Sequence, residues 1–298
     1  MKILILGSHG MLGRDLMAEF SPDCDVLGVD REETDITRLD ACLERVNEFH
    51  PEIVVNAAAL TQVDYCETHE EEAFRVNGEG AGNLAKASGA IGALMVHYST
   101  DYIFDGFKSE PYLEGDAPNP LSVYGKSKLL GEDLVREYCP NHLILRISWL
   151  FGLNGANFIR KIIEAAEQGK KLRVVVDQKG SPTYAGDVAA HTRRMVRAKC
   201  RETYHLTNQG ICTWHELAME ALKSAGMSEV VVAPISSGDL NLPAPRPRNS
   251  VLENDRLKND GLPLMRPWRD AVEEYVLAHG SHRIAHKQSD RGGEEGCA

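Results

Sequence analysis

The chain has 298 residues, 43% hydrophobic and 26% charged, a composition ordinary for a soluble globular protein with one large α/β domain or two lobes sharing a core. No apolar stretch is long enough to cross a membrane. The apolar run at residues 3–6 is too short for a signal peptide, so a cytoplasmic location is expected. A net charge of −11 argues against a nucleic-acid partner, which needs a basic face, but leaves room for a small anionic ligand held by a few local cations.

The first half alternates short apolar runs with helical periodicity. Residues 2–6 read as a buried strand, 11–20 as a helix and 25–29 as a second strand. Residues 39–49 read as a helix ended by Pro51, followed by a third strand at 52–56 and a long helix at 70–88. A fourth strand is predicted at 93–98, a helix at 124–138 and a fifth strand at 142–147. This rhythm predicts an α/β fold with a Rossmann-type doubly wound parallel sheet. Further on, helices are predicted at 158–168, 187–199, 213–225 (capped by Thr213) and 268–279, with strands at 172–176 and 204–207. The proline- and arginine-rich run 242–248 reads as an ordered loop or extended segment. The expected organisation is a dinucleotide-binding lobe from residues 1–148 and 170–207 and a smaller C-terminal substrate-binding lobe from 149–169 and 208–280. Residues 281–298, polar and rich in glycine and charge, are expected to be a disordered tail. Seven scattered cysteines form no C-x-x-C pair or zinc-type spacing, so reduced thiols and no metal site are expected.

Between the first strand and first helix lies Gly7-Ser8-His9-Gly10-Met11-Leu12-Gly13. Gly7, Gly10 and Gly13 suit a tight turn, close approach of backbone to a pyrophosphate, and packing of helix on sheet. The N–H groups of Met11 and Leu12 at the helix start then face the phosphates. Asp30, ending the second strand, can accept from an adenosine ribose hydroxyl, which favours NADH. Its neighbour Arg31 can accommodate a 2′-phosphate, so NADH or NADPH is expected, with dual use plausible. Asp35 and Ile36 could lie over the adenine, although Asp35 or Thr37 would equally serve as a helix cap. Ala57, Ala58 and Ala59 after the third strand leave room for a flat cofactor, though small residues also simply pack well.

Tyr124 and Lys128, four residues apart, share one helix face. An ammonium beside a phenol lowers its pKa from about 10, making Tyr124 a proton donor to an alkoxide and Lys128 a partner for the nicotinamide ribose. Such a pair arises readily by chance. It gains meaning from Ser99-Thr100-Asp101-Tyr102, which leaves the fourth strand at its C-terminal end, where open α/β sheets bind ligands. Thr100 is the candidate to orient a substrate oxygen, with Ser99 second. Trp149, at the end of the fifth strand, offers a sugar a flat wall and one N–H. Arg246 and Arg248, on a stiffened loop, are candidates for a substrate phosphate, with Asn157 and Lys161 as weaker ones.

The glycine motif, the Ser99–Tyr102 segment and Tyr124-x-x-x-Lys128 together resemble the extended short-chain dehydrogenase/reductases. Within them the chain resembles the dTDP-4-dehydrorhamnose reductase group through residues 97–104, 119–125, 145–149, 177–183 and 245–250, a likeness that runs over roughly residues 1–280. The resemblance implies reduction of the 4-keto group of a dTDP-linked 6-deoxyhexulose in nucleotide-sugar biosynthesis. It implies cofactor contacts from Gly10, Met11, Leu12, Asp30, Asp35, Ile36, residues 57–61 including Thr61, Tyr98, Tyr124 and Lys128, and sugar contacts from Thr100, Asp101, Tyr124 and Trp149. A metal held by glutamates at a dimer contact, known in some relatives, is not carried over, because Asp15 and Asp187 stand at those positions. A homodimer fits the same pattern. Sister dehydratases need a carboxylate pair after the threonine, whereas Asp101 is followed here by Tyr102. Three alternatives stay open: another 4-keto-sugar nucleotide reductase, an epimerase, and a non-catalytic regulatory subunit of the methionine adenosyltransferase type.

Overall fold

The computed structural model describes the backbone of residues 1–292 and the side chains of residues 1–280. In chain order, β1 (Lys2–Leu6), α1 (Met11–Phe20), β2 (Asp25–Val29), α2 (Leu39–Phe49) and β3 (Ile53–Asn56) come first. The short helices α3 (Val63–Thr68) and α4 (Glu70–Ala73) follow, and α4 runs through a π-helical turn at Phe74–Glu79 into α5 (Gly80–Ala90). The single long helix predicted here therefore exists, but with a bulge inside it. After it come β4 (Leu94–Thr100), a 3₁₀ turn at Asp101–Ile103, α6 (Val123–Tyr138) and β5 (His142–Ile147).

The second half contains β6 (Leu150–Phe151), α7 (Phe158–Glu167), β7 (Leu172–Val175), β8 (Lys179–Gly180), β9 (Thr183–Tyr184), α8 (Ala185–Arg197), β10 (Glu202–His205), β11 (Cys212–Thr213), α9 (Trp214–Ser224), β12 (Val232–Ile235), α10 (Asp255–Asn259) and α11 (Trp268–Gly292). The capping box at Thr213 forms as the sequence predicts, with Glu216 reaching back to the Thr213 backbone.

Six parallel strands form the main sheet in the order β10-β5-β4-β3-β1-β2. The central strand β4 is buried at every position, which is why it reads as a continuous apolar run. On one face Ile3, Ile5, Val55, Val96 and Leu145 pack against Leu16 and Phe20 of α1 and Val188 and Met195 of α8. On the other, Leu4, Val54, Met95 and Ile144 pack against Val46 of α2, Leu84 of α5 and Val135 of α6. The smaller lobe has its own core, in which Phe151, Ile159, Leu217, Trp268 and Tyr275 meet.

The lobes interleave more than the expected boundaries allow. β7, placed by sequence in the dinucleotide lobe, pairs with β12, and its Leu172 and Val174 pack on Leu222 of α9. Conversely, Leu257 and Met265, expected in the substrate lobe, join the core beneath the main sheet. The expected disordered tail also needs correction. Residues 281–291 contain no proline or glycine, and α11 continues to Gly292, while residues 293–298 lie outside the described residues.

Candidate active site

The C-terminal ends of β1, β3, β4 and β5 open onto one crevice, made of two adjoining cavities that share Gly10, Ala57 and Ala59. The first, about 310 Å³, is lined by Gly7, Gly10, Asp30, Arg31, Asp35, Ile36 and residues 57–59. The second, about 460 Å³, is lined by Met11, Leu12, Thr61, Tyr98, Thr100, Asp101, Tyr124, Lys128 and Trp149. Of the residues expected around a cofactor, only Gly13 lies behind the wall, and its role is steric. A Cβ there would stand 2.0 Å from the Gly7 carbonyl oxygen. Gly7 itself has φ +78°, a conformation that favours glycine, and a Cβ on it would meet the Ala58 nitrogen at 2.8 Å. Helix α1 has no side-chain cap at Gly10, so its first N–H groups suit a pyrophosphate. The cradle and the paired cavities thus fit a dinucleotide.

Asp30 does more than line the crevice. Its Oδ2 accepts from the Ser8 hydroxyl at 2.8 Å and the His9 backbone N–H at 2.9 Å, tying the glycine loop to the end of β2. Asp35 is not the cap of α2, where Arg38 stands and no side chain caps the helix. Instead it accepts from the backbone and hydroxyl of Thr37 at 3.0 and 2.8 Å. Burial pushes the Asp35 carboxyl up, but these bonds, with Arg31 and Arg38 nearby, hold it below its ordinary value. Two buried asparagines, absent from the sequence reading, shape the loop after β3. Asn56 Oδ1 accepts from the Ala58 N–H at 3.1 Å, and Asn77, in the π-helical turn, bonds both the N–H and the C=O of Leu60 and donates to Ser127 on α6 at 3.1 Å.

At the chemical centre Thr100 and Tyr124 line the same cavity. Thr100 also donates to Asp101 Oδ1 at 3.1 Å, and Ser148 donates to Asp101 Oδ2 at 3.0 Å. Burial lifts Asp101 to about 6 against the pull of Ser250, Ser148 and Thr100. Lys128 is buried and donates to the Tyr98 carbonyl at 2.6 Å. The expected lowering of the Tyr124 phenol by Lys128 is not met. Burial drives the phenol above its ordinary value, opposed by the nearby Thr100 hydroxyl. Burial also brings the Lys128 ammonium itself down to about 8, opposed by Glu132. The Tyr98 phenol turns away from the crevice and pairs with Thr192 at 2.7 Å.

The substrate candidates divide. Trp149 has φ 45°, rare outside glycine, and its ring faces the second cavity stacked on Trp214. Trp214 and Ser148 line the same cavity and were missed by sequence. Trp214 follows a helix cap, and only its stacking on the sequence-distant Trp149 gives it away. Asn157 does not line the cavity. Its Oδ1 caps α7 by accepting from Arg160, and its Nδ2 donates to the Gly152 carbonyl and the Tyr275 hydroxyl. Lys161 is exposed on α7, and Arg248 is exposed on its loop. Arg246 forms a two-bond ion pair with Asp64 of α3 and lies near Tyr102, which lines the second cavity. Among the described residues no group of His, Cys, Asp or Glu is arranged to hold a metal ion, and no helix is long and apolar enough to cross a membrane.

Fold and site define a Rossmann-type nicotinamide oxidoreductase with a short-chain dehydrogenase/reductase centre. The model of the RmlD substrate binding domain family matches residues 1–280. The dTDP-4-dehydrorhamnose reductase of Burkholderia thailandensis is 38% identical over 288 residues, covering 91% of this chain and 97% of that one. The probable dTDP-4,6-dihydroxy-2-methyloxan-3-one 4-ketoreductase of Streptomyces antibioticus is 39% identical over 279 residues, covering 92% and 94%. The fold is also similar to the crystal structure of dTDP-4-dehydrorhamnose reductase from Bacillus anthracis in complex with NADP, with a TM-score of 0.91, 35% identity and coverage of 93% of this chain and 99% of that one. The chain belongs to the RmlD family, that of the dTDP-4-dehydrorhamnose reductases.

Proposed function

We propose that the protein reduces the 4-keto group of dTDP-4-dehydro-L-rhamnose to give dTDP-L-rhamnose. The observation that carries this reading is one cavity at the strand ends holding Thr100, Tyr124, Lys128 and the Trp149 wall, continuous with a glycine-lined dinucleotide crevice. A nicotinamide cofactor, when bound, supplies the hydride to the carbonyl carbon. The crevice residues Gly7, Gly10, Met11, Leu12, Asp30, Arg31, Asp35, Ile36, residues 57–59 and Thr61 would hold it. The hydroxyls of Thr100 and Tyr124, which line one cavity, would orient the keto oxygen between them. Burial keeps the Tyr124 phenol protonated at neutral pH, so the acid form is ready. Its proton passes to the alkoxide oxygen, and the Lys128 ammonium stabilises the tyrosinate left behind. Asp101 and Trp149, which line the cavity, would contact the sugar, and Arg246, beside the cavity-lining Tyr102, would meet the diphosphate.

The reading includes a cytoplasmic enzyme that needs neither nucleic acid nor membrane and works as a homodimer, which light scattering checks. A second reading, 4-keto reduction of a different dTDP-linked 6-deoxysugar, is favoured by the Streptomyces antibioticus relative. The deciding experiment mixes the enzyme with dTDP-4-dehydrorhamnose and NADH or NADPH, following reduced-nicotinamide absorbance and the NMR spectrum of the sugar. Stoichiometric cofactor oxidation with formation of dTDP-L-rhamnose is expected. Conversion without net oxidation would indicate epimerisation, and no conversion would sink the reading. Tyr124→Phe should lose on the order of 10²–10⁴ in kcat while still binding cofactor.

A further inference from the structure

Behind the Tyr124–Lys128 pair, on the same face of α6, stands a third ionisable residue. Glu132 is four residues beyond Lys128, and its side chain is 0% exposed. It is clamped from the neighbouring strand: Arg146 of β5 donates Nε to Oε1 at 2.9 Å and Nη2 to Oε2 at 2.8 Å. Arg136, one turn further along α6, adds a bond to Oε2 at 2.6 Å. Arg146 is in turn fixed by the Glu114 carbonyl at 3.1 Å and lies over the Phe104 ring. None of these groups lines the crevice.

Lys128 needs a counterion. Its ammonium is buried, and the Tyr98 carbonyl it bonds is neutral. A buried charge with only a neutral acceptor is costly unless an opposite charge is near. We propose that Glu132 is a positioning residue for the reduction, a carboxylate locked by Arg146 and Arg136 so that Lys128 stays charged behind Tyr124. This rests on the assignment of Tyr124 and Lys128 made above.

The surrounding groups leave that task to Glu132. From β4, His97 is buried and held neutral, so it brings no charge, and Asp101 is engaged with Thr100 and Ser148. From β10, His205 is likewise held neutral by burial and Arg146. From β5 and α6, Arg146 and Arg136 are positive. The Tyr98 phenol faces Thr192. Burial alone would push Glu132 up, but Arg146 and Arg136 outweigh it and hold the carboxyl down at about 2, so it is ionised at neutral pH. Glu132 thus opposes the burial that draws Lys128 down to about 8.

The test reads the Lys128 titration in the cofactor-free protein by NMR of ¹³Cε-labelled lysine, with Lys128→Met identifying the resonance, alongside the pH profile of kcat. In Glu132→Gln the Lys128 midpoint and the alkaline limb of kcat should both move at least one pH unit lower. At pH 8 the charged fraction then falls from about one half to about one tenth, a roughly fivefold loss of activity, because one pH unit is tenfold in the ratio of charged to neutral lysine. Glu132→Asp, which keeps the charge, should restore both. Should Glu132→Gln not fold, Glu132→Met/Arg146→Met replaces the buried pair with apolar side chains and should shift the midpoint in the same direction. Unmoved midpoint and limb in a folded variant lacking the carboxylate, or equal shifts in the Gln and Asp variants, would overturn the inference. Full turnover by Lys128→Met would instead overturn the assignment of Lys128 itself.

Discussion

Trp149 and Trp214 stack face to face, with ring centroids 3.6 Å apart and planes within 8°. Trp149 follows β5 of the main sheet and Trp214 opens α9, and both pack on the core of the smaller lobe, so that lobe supplies the aromatic wall of the cavity. Trp149 is held there in a left-handed backbone conformation that a tryptophan adopts at a cost of about 1–3 kcal/mol. Such strain persists only where the surroundings fix it, and the Trp214 ring is one of those surroundings.

The space for this stack depends on Gly180 in β8. A Cβ there would lie 2.2 Å from Cε2 of Trp149, so Gly180→Ala must displace the indole. Stacked aromatic pairs are worth about 0.5–1.5 kcal/mol beyond their burial, so kcat/KM for the sugar nucleotide should fall up to about tenfold. Tryptophan emission should shift, while cofactor affinity stays within about twofold. A variant with wild-type kcat/KM and emission would show that the wall does not position the sugar.

Asp30 gives a sharper test than sequence alone suggested. A ribose contact predicts that Asp30→Ala weakens NADH and spares NADPH. The structure gives the carboxylate a second task, since it fastens Ser8 and His9 of the glycine loop. Loss of those bonds should weaken both cofactors and lower stability by about 1–3 kcal/mol. Isothermal titration with each cofactor separates the cases, and selective loss of NADH alone would contradict the loop-fastening role.

Periodicity and glycine placement made the sheet and cofactor crevice legible, because a strand buried on both faces and a phosphate-binding turn each leave a local signature. Thr100, Tyr124 and Lys128 were readable for the same reason: each sits at a strand end or on one helix face. Legibility failed where partners are distant in sequence. The pairing of β7 with β12 joins segments 60 residues apart at Leu172 and Val232, and no local pattern announces it. Glu132 looked like any charged helix residue until Arg146 was seen to clamp it, and Trp214 like a first-turn residue until it met Trp149. Lys128 failed in a different way. Helical spacing put it on the same cavity wall as Tyr124, but spacing carries no information about burial, which governs both groups' titration.

The buried Asp101 should make stability depend on pH in a defined direction. Its carboxyl titrates near 6 in the folded protein against 3.8 when free, so the folded state holds its proton more tightly. Between those values the folded chain binds more protons than the unfolded one, and this contribution falls as pH rises through the window. The ionised carboxylate then costs on the order of 3 kcal/mol above pH 6. Asp101→Asn should therefore raise the melting temperature at pH 8 and lose that advantage near pH 4. A difference that stays constant from pH 4 to 8 would show that Asp101 is not titrating in this range.

Asn157, a candidate for the nucleotide end of the substrate, is fully occupied inside the fold. Its carbonyl accepts from Arg160 to cap α7, and its amide donates to Gly152 at 2.9 Å and Tyr275 at 3.1 Å. Removing an asparagine cap costs about 0.5–2 kcal/mol, and the two orphaned buried partners add about 1–3 kcal/mol. Asn157→Ala should thus lower the melting temperature clearly, while Asn157→Asp, which keeps the cap and loses the donor, should fall between it and the wild type. In both variants KM for the sugar nucleotide should stay within about twofold at temperatures where they are folded. A rise in KM well beyond that, with stability unchanged, would return Asn157 to the substrate site. The opposite pattern would establish α7 as a support that the cavity needs but does not touch through this residue.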